Sequence, residues 1–403
     1  MALIAHGVSK TLAYKKETTF GTAAGSSGAA VLRRVTSNFN LVKSTYESNE
    51  IRTDYQVADM RHGIRSVEGS VNGELSPGSY SALMGSILAK DFASVSSITG
   101  LSLTIAASGS AWTVTRATGS FISDGVKVGQ VVRLAGASLA AGNVSKNLLV
   151  ASMTALALTV YVVNGTDLTA EGPIASCTVS FPGKYTYAPT TGHTDDSYTV
   201  EEWYGDIEES ELYTGVKFGT MNVQLPASGM VTVDFSAMGK DMVGNTSQYF
   251  STPTAAGTTG VLASVNGLVL AGGATVGLIT SADFSVERAL ENAEVLGSNS
   301  IADIFANRIR VSGNISTYFQ DQVFRDYFDD ETEVTLVFVV TTSEANAADF
   351  VSFSLPRVKL GSTGKNDGES GITQDHSFVA LLNSTVSAGL PNTTLAVHDS
   401  QAA

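Results

Sequence analysis

The chain has 403 residues, 43% hydrophobic and 15% charged, with 39 glycines against 8 prolines; it is long enough for two or three domains and too apolar for disorder. A formal net charge of −14, with no Lys/Arg run longer than two, excludes a protein that grips nucleic acid by neutralising phosphates. The lone Cys177 excludes a disulfide framework and implies folding in a reducing cytoplasm, and the five scattered histidines lack ligand spacing, so no metal or cofactor is expected.

Met1–His6 lacks the basic start and long apolar core of a signal peptide. Residues 1–34, with a Gly/Ala/Ser stretch from Ala23 to Ala30, read as a loose N-terminal arm that cannot build a core alone. Alternation begins at Val35 and runs to Tyr46. The polar segment Glu47–Gly63 then joins it to Arg65–Leu75, its expected hairpin partner; so long a connection is more often functional than idle. In Arg65–Leu75, Val67, Gly69, Val71, Gly73 and Leu75 take one side and Glu68, Ser70, Asn72 and Glu74 the other, the period-two mark of a half-buried strand. A turn at Ser76-Pro77-Gly78 leads to a short amphipathic helix capped by Ser79, with Tyr80, Leu83, Met84, Ile87 and Leu88 on its apolar face.

The same order returns downstream. Val311, Gly313, Ile315 and Phe319 alternate with polar residues, and Asp321 caps a helix carrying Val323, Phe324, Tyr327 and Phe328. Phe235-Ser-Ala-Met238 resembles Phe378-Val-Ala-Leu381, which completes an internal duplication. Val71 and Phe235 lie about 160 residues apart but Ile315 and Phe378 about 60, so the first copy carries an insert of about 100 residues. That insert is 93–191, four or five short strands with Gly-bearing turns, suggesting a small SH3-like or Ig-like β domain. Its apolar run Leu148–Val163 is too short for a membrane span and is split by Ser152 and Thr154.

The expected organisation is therefore mainly β, with two duplicated β-barrel or sandwich modules, each with a short α-helix. The first module is 35–92 plus 192–240 and the second is 262–385, joined by a linker at 241–261 and followed by a C-terminal arm at 386–403. Within the second module, Val265–Leu270 and Leu278–Arg288 are expected to pair across Ala271–Ala274.

Catalytic patterns are lacking. Gly272–Gly277 has no phosphate-loop lysine, Gly361-Ser-Thr-Gly-Lys365 fails the spacing, and no Ser/His/acid triad stands out. The carboxylate pairs Asp195/Asp196, Glu201/Glu202 and Asp329/Asp330 are adjacent, and neighbours on a strand point to opposite faces, so no pair converges as a glycosidase would need. The chain is not expected to be an enzyme.

Lys15–Thr22, Ser48–Asp54, Arg61–Leu75 and Gly229–Met242 together resemble the tail tube (major tail) protein of long-tailed bacteriophages, over about 300 residues. The departure is the insert, which resembles the small β domains that decorate tail tubes. The resemblance implies stacked rings whose sheets join across subunits, a lumen filled first by the tape measure protein and later traversed by double-stranded DNA, and contacts with tail tip, baseplate and terminator proteins. It implies a virion-tail location with assembly in the host cytoplasm and no membrane partner. Six modules per ring imply three copies of this doubled chain with pseudo-sixfold symmetry; a homohexamer is the alternative. Glu68 and Glu74, and Glu201 with Trp203, become candidate lumen residues, where an acidic wall would let phosphates slide. Glu50, Arg52, Asp54, Asp59 and Arg61 in the first long loop, and Glu291 and Glu294 in its counterpart Glu291–Asn307, become candidate ring-to-ring contacts. A β-modular adhesin or capsid-decoration protein would share the composition and stays open.

Overall fold

The computed structural model describes residues 4–276, 278–367, 369–384 and 389–402; residues 386–388 and 403 of the expected C-terminal arm lie outside these. The alternating stretches pair as their pattern requires. Thr36–Glu47 and Met60–Glu74 form an antiparallel hairpin with Phe39, Val67 and Val71 buried and Glu68 and Glu74 exposed. From Met60–Glu74 the ladder continues through Thr232–Gly239, Glu209–Pro226, Ile279–Ala293, Asp303–Tyr318 and Thr373–Ala380 to Phe350–Asn366, each neighbour antiparallel. Strands of both copies thus form one inner sheet, joined where Thr220–Pro226 lies against Ser281–Glu287.

The two copies share their irregularities as well as their order. Phe39 stands opposite Gly69, and Phe284 opposite Gly313. The first hairpin slips by one residue between Lys43 and Thr45, the second between Arg288 and Leu290. Glu209–Pro226 slips between Phe218 and Thr220, at Gly219; Phe350–Asn366 slips between Leu360 and Ser362, at Gly361. A bulge bends its strand and raises the local twist, and those at Gly219 and Gly361 mark where a long strand leaves the inner sheet for an outer one. The register also corrects one sequence match. Phe235 stands opposite Val71, whereas Phe378 stands opposite Gly313, so the counterpart of Phe378 is Ala237. A two-residue offset keeps the same face inward, which alternation cannot detect.

A Cβ on Gly69 would enter the Phe39 ring, and one on Gly313 would meet the Asp283 carbonyl oxygen and the Phe378 ring. Gly313→Val is expected to cost at least about 1–3 kcal/mol through overpacking against backbone. Thermal unfolding checks this, and an unchanged Tm would contradict the close approach.

Each half of the inner sheet is backed by an outer sheet. In the first, Lys10–Lys16 pairs Tyr198–Tyr204, which pairs the start of Glu209–Pro226, which pairs Asp241–Asn245. In the second, Gly267–Ala271, Val334–Thr341, the start of Phe350–Asn366 and Ala396–Asp399 follow the same order. The arms are thereby corrected: Leu12 and Ala13 are buried in a strand within 1–34, and Ala396 and Val397 are buried in one within 386–403. Each short strand acquires its core only from partners distant in sequence. The expected pairing of Val265–Leu270 with Leu278–Arg288 is also corrected, because the first lies in an outer sheet and the second in the inner one.

Both helices form, with different surroundings. Ser81–Leu88 buries every residue except Ala82, whereas Val323–Asp329 has none buried. Ser79 does not cap the first helix, and its hydroxyl bonds Ser76 instead (2.7 Å). Asp321 Oδ1 does accept the Val323 N–H at 3.1 Å.

The insert is a closed barrel of six strands between Ile98 and Ser180. It leaves the first copy in sequence but docks on the second. Val131, Leu149, Ala151 and Tyr161 of the barrel form one apolar cluster with Leu270, Val337, Val339 and Phe350. Arg133 donates to the carbonyls of Ala347 and Ala348, and Asn147 to that of Ala348. His398 accepts from Val131 N–H through Nδ1 (3.1 Å) while Nε2 donates to Pro182 O (2.9 Å). Burial pushes the His398 pKa down to about 4, so the ring stays neutral and keeps both bonds at neutral pH.

Candidate functional site

Three surfaces stand out, and each follows from the inner sheet. The first is its polar face. Because the opposite face carries the helices, the outer sheets and the core, this one is left bare, lined by Ser, Thr, Asn and Gln with Glu68, Glu74, Asp234, Asp283, Glu287 and Asp375. Arg310, opposite Glu287, and the neighbouring exposed Arg308 are cations on this side. Several carboxylates are held in place by neighbours on the same face: Asn72 donates to Asp234 (2.6 Å), Asn314 to Asp283 (3.2 Å) and Ser316 to Asp375 (2.5 Å). Glu68 and Glu74 fall here together.

Glu201 does not. It is wholly buried in the outer sheet, where its carboxylate accepts from Ser210 Oγ (2.7 Å), Tyr249 N–H (2.5 Å) and Phe250 N–H (2.9 Å). It pins the segment that covers the first outer sheet, and Phe250 fills that cover. Trp203 shares its strand and is half-buried. Alternation marked Glu201 as solvent-facing because a strand covered on both faces gives no sequence sign of the second cover.

The second surface is a pair of open edges. Among the described residues, Thr36–Glu47 pairs on one side only, with Met60–Glu74, and the outer half of Phe350–Asn366 pairs only with Thr373–Ala380. Such unpaired edges are normally shielded. These two carry exposed backbone and exposed side chains from Val42 to Glu47 and from Ser362 to Asn366, with Thr363 half-buried.

The third surface is the hairpin tips. Glu50, Arg52, Asp54, Asp59 and Arg61 are all exposed, and four of them satisfy each other: Arg52 makes a bidentate pair with Asp54, and Arg61 pairs Asp59 at 2.8 Å, while Glu50 has no ion pair among the described residues. What the loop offers outward is apolar, Ile51, Tyr55 and Val57. The second tip is shorter than expected, because the strands run to Ala293 and resume at Asp303; Glu291 lies in the strand and Glu294 in the loop beside the fully exposed Leu296. This second tip folds over the first copy, where Arg65 N–H donates to Asn299 O (2.9 Å).

At least one member of each carboxylate pair is engaged by a cation of the fold, Asp329 by Arg325 (3.3 Å) among them. Glu202 is held by Lys10 (2.6 Å), Asp196 by Lys16 (2.7 Å) and Asp195 by Lys217 (2.7 Å). Among the described residues no group of three or more His, Cys, Asp or Glu could hold a metal ion, and no helix is long and apolar enough to cross a membrane.

A family model described as phage tail tube protein matches residues 7–380. No curated protein matches the chain.

Proposed function

Since the chain belongs to the phage tail tube protein family, and is a structural component of a phage tail, we propose that it builds the tube by closing its two open edges on further copies of itself. One observation carries this reading. The joint inside the chain, Thr220–Pro226 against Ser281–Glu287, brings together the last inner strand of one copy and the first of the other. The two open edges are the same two strands in the opposite copies, with bulges at the same places. A neighbour docked as the second copy docks on the first would continue the sheet without a break, with Ser362 opposite Val42 and Asn366 opposite Asn38.

With six modules per ring, as the family implies, three chains close a ring of pseudo-sixfold symmetry. The modules of this reading are 35–92 with 192–240 and 262–385, each completed by the strands that the terminal segments contribute, and the barrel at 93–191 projects outward. The exposed helix Val323–Asp329 supports the arrangement, because its buried counterpart lies at the internal joint, where Arg288 Nη1 donates to Ser86 O at 3.2 Å. The polar face then becomes the bore, since the helices and outer sheets occupy the other side. The tape measure protein and then double-stranded DNA would pass along it, with tip, baseplate and terminator proteins closing the ends and assembly in the host cytoplasm. No catalytic role belongs to this reading.

Rings would stack through the hairpin tips, where the apolar Ile51, Tyr55 and Val57 are exposed beside charges that have largely paired within the loop. Negative-stain microscopy of concentrated protein tests both levels. The wild type is expected to form hollow tubes, and an Ile51→Asp/Tyr55→Asp variant to form isolated rings with few or no tubes. Wild-type protein that remains monomeric, or that coats a cell surface or capsid instead, would overturn the tube reading; normal tubes from the variant would remove the tips from the stacking contact.

A further inference from the structure

The internal joint holds a compact set of four charges. Lys217, 4% exposed, bonds Asp195 of its own copy (2.7 Å) and reaches across to Asp303 (3.2 Å) and the Ile304 carbonyl (2.8 Å) of the other. From the opposite side Arg288 approaches Asp195 at 3.9 Å, and burial pushes its guanidinium below the ordinary value. Asp303 is oriented by accepting the Ile304 N–H (2.7 Å). A lysine enclosed this far is tolerated because two carboxylates and a carbonyl replace its water.

Every member has a counterpart at an open edge, found by register alone. Lys217 and Lys359 both lie two residues before the bulge glycine, Gly219 or Gly361. Asp195 and Glu331 both lie three residues before equivalent outer-sheet strand starts, Tyr198 and Val334, which pair with Val216 and Val358. Arg288 and Lys43 are the residues before the hairpin bulges. Asp303 and Asp59 hold the same register in their hairpins, Asp303 opposite Ala293 and Asp59 accepting the Ser48 N–H through its carbonyl, and the carboxylate of each accepts the next residue's N–H, in Asp59 from Met60 at 2.9 Å. Half of the set is already assembled at one edge, where Lys359 bonds Glu331 at 3.2 Å, but there the lysine is 38% and the glutamate 81% exposed. The other half waits at the other edge: Lys43 is exposed and has no ion pair among the described residues, and Asp59 pairs only with Arg61.

We infer that Lys359 and Glu331 of one chain meet Asp59 and Lys43 of a second copy, rebuilding at each subunit boundary the four-charge lock seen inside the chain. This rests on the ring reading and adds the residues that select register and partner. If the same edge met itself, two Lys359/Glu331 edges or two Lys43/Asp59 edges would not reproduce the lock, because each edge supplies only half of the set seen at the internal joint. The lock therefore favours head-to-tail closure over a dead-end edge dimer, which is what charge at an interface does best.

The test is a charge exchange in the full chain. K359E places three carboxylates around Lys43, and D59K places three cations around Glu331. Each single variant is expected to keep the wild-type circular dichroism and Tm, since neither altered side chain is buried in the isolated chain, but to need at least about tenfold more protein before tubes appear. K359E/D59K, which restores opposite charges at every boundary, is expected to recover assembly. Wild-type tubes with both single variants assembling normally, or with the double variant no better than either single, would overturn the lock and leave the ring reading standing. Failure of the wild type to form rings at any concentration would overturn the ring reading and the lock with it.

Discussion

Oxidation of assembled V42C/S362C protein is expected to give a covalent ladder that ends at three times the 41.9 kDa chain mass. Thr220 and Glu287 are direct partners in the internal joint, and Ser362 and Val42 are their counterparts at the open edges. Antiparallel partners lie about 4.5–5.5 Å apart between Cα atoms, inside the range a disulfide spans, about 4.4–6.8 Å. The native Cys177 is buried in the barrel and does not compete. A ring of three would exhaust its free ends at the trimer, so no higher band should accumulate, and a reducing gel should collapse the ladder to monomer. The control N38C/S362C puts the second thiol four residues away along the strand, about 13 Å, and should stay uncrosslinked. A ladder ending at six chains would replace the trimer by a hexamer, and crosslinking of the control but not the test pair would refute the register.

The second large effect concerns the bore. In a phage carrying E68K/D283K, DNA ejection is expected to slow by at least tenfold or stall, while tube length stays normal. Both residues lie on the polar face of the inner sheet and neither contributes to the apolar core. Each substitution replaces a repelling charge by an attracting one, about four charge units per chain, repeated in every ring. Duplex DNA making six to ten phosphate contacts gains and loses affinity by about 10³–10⁵ between low and moderate salt. Slow ejection that recovers as salt is raised is therefore the diagnostic result. Ejection at the wild-type rate would mean that the polar face looks outward.

Much of this architecture is legible in the sequence, because a strand with one covered face writes its burial into alternate residues. Val67, Val71, Val311 and Ile315 identified both repeat strands in this way, and the same pattern placed Glu68 and Glu74 on the bare face. The loop charges from Glu50 to Arg61 are legible as residues but not as a network; the pairing of Arg52 with Asp54 and of Arg61 with Asp59, beside the exposed Ile51 and Tyr55, depends on loop geometry. The four-charge joint left no local trace at all. Lys217, Asp195, Arg288 and Asp303 are spread over more than a hundred residues and form no motif.

The sequence by itself determined the β class, the doubling and the inserted domain, since periodicity, turn residues and internal similarity are properties of neighbouring residues. The tertiary structure alone decided that Glu201 is buried, that both terminal segments supply core strands, that the barrel rests on the copy it does not interrupt, and which two strands leave an edge of the inner sheet open. Each of these depends on pairing between segments far apart in the chain. Such pairing is chosen by the fit of whole sheets, for which a short stretch of residues carries no record.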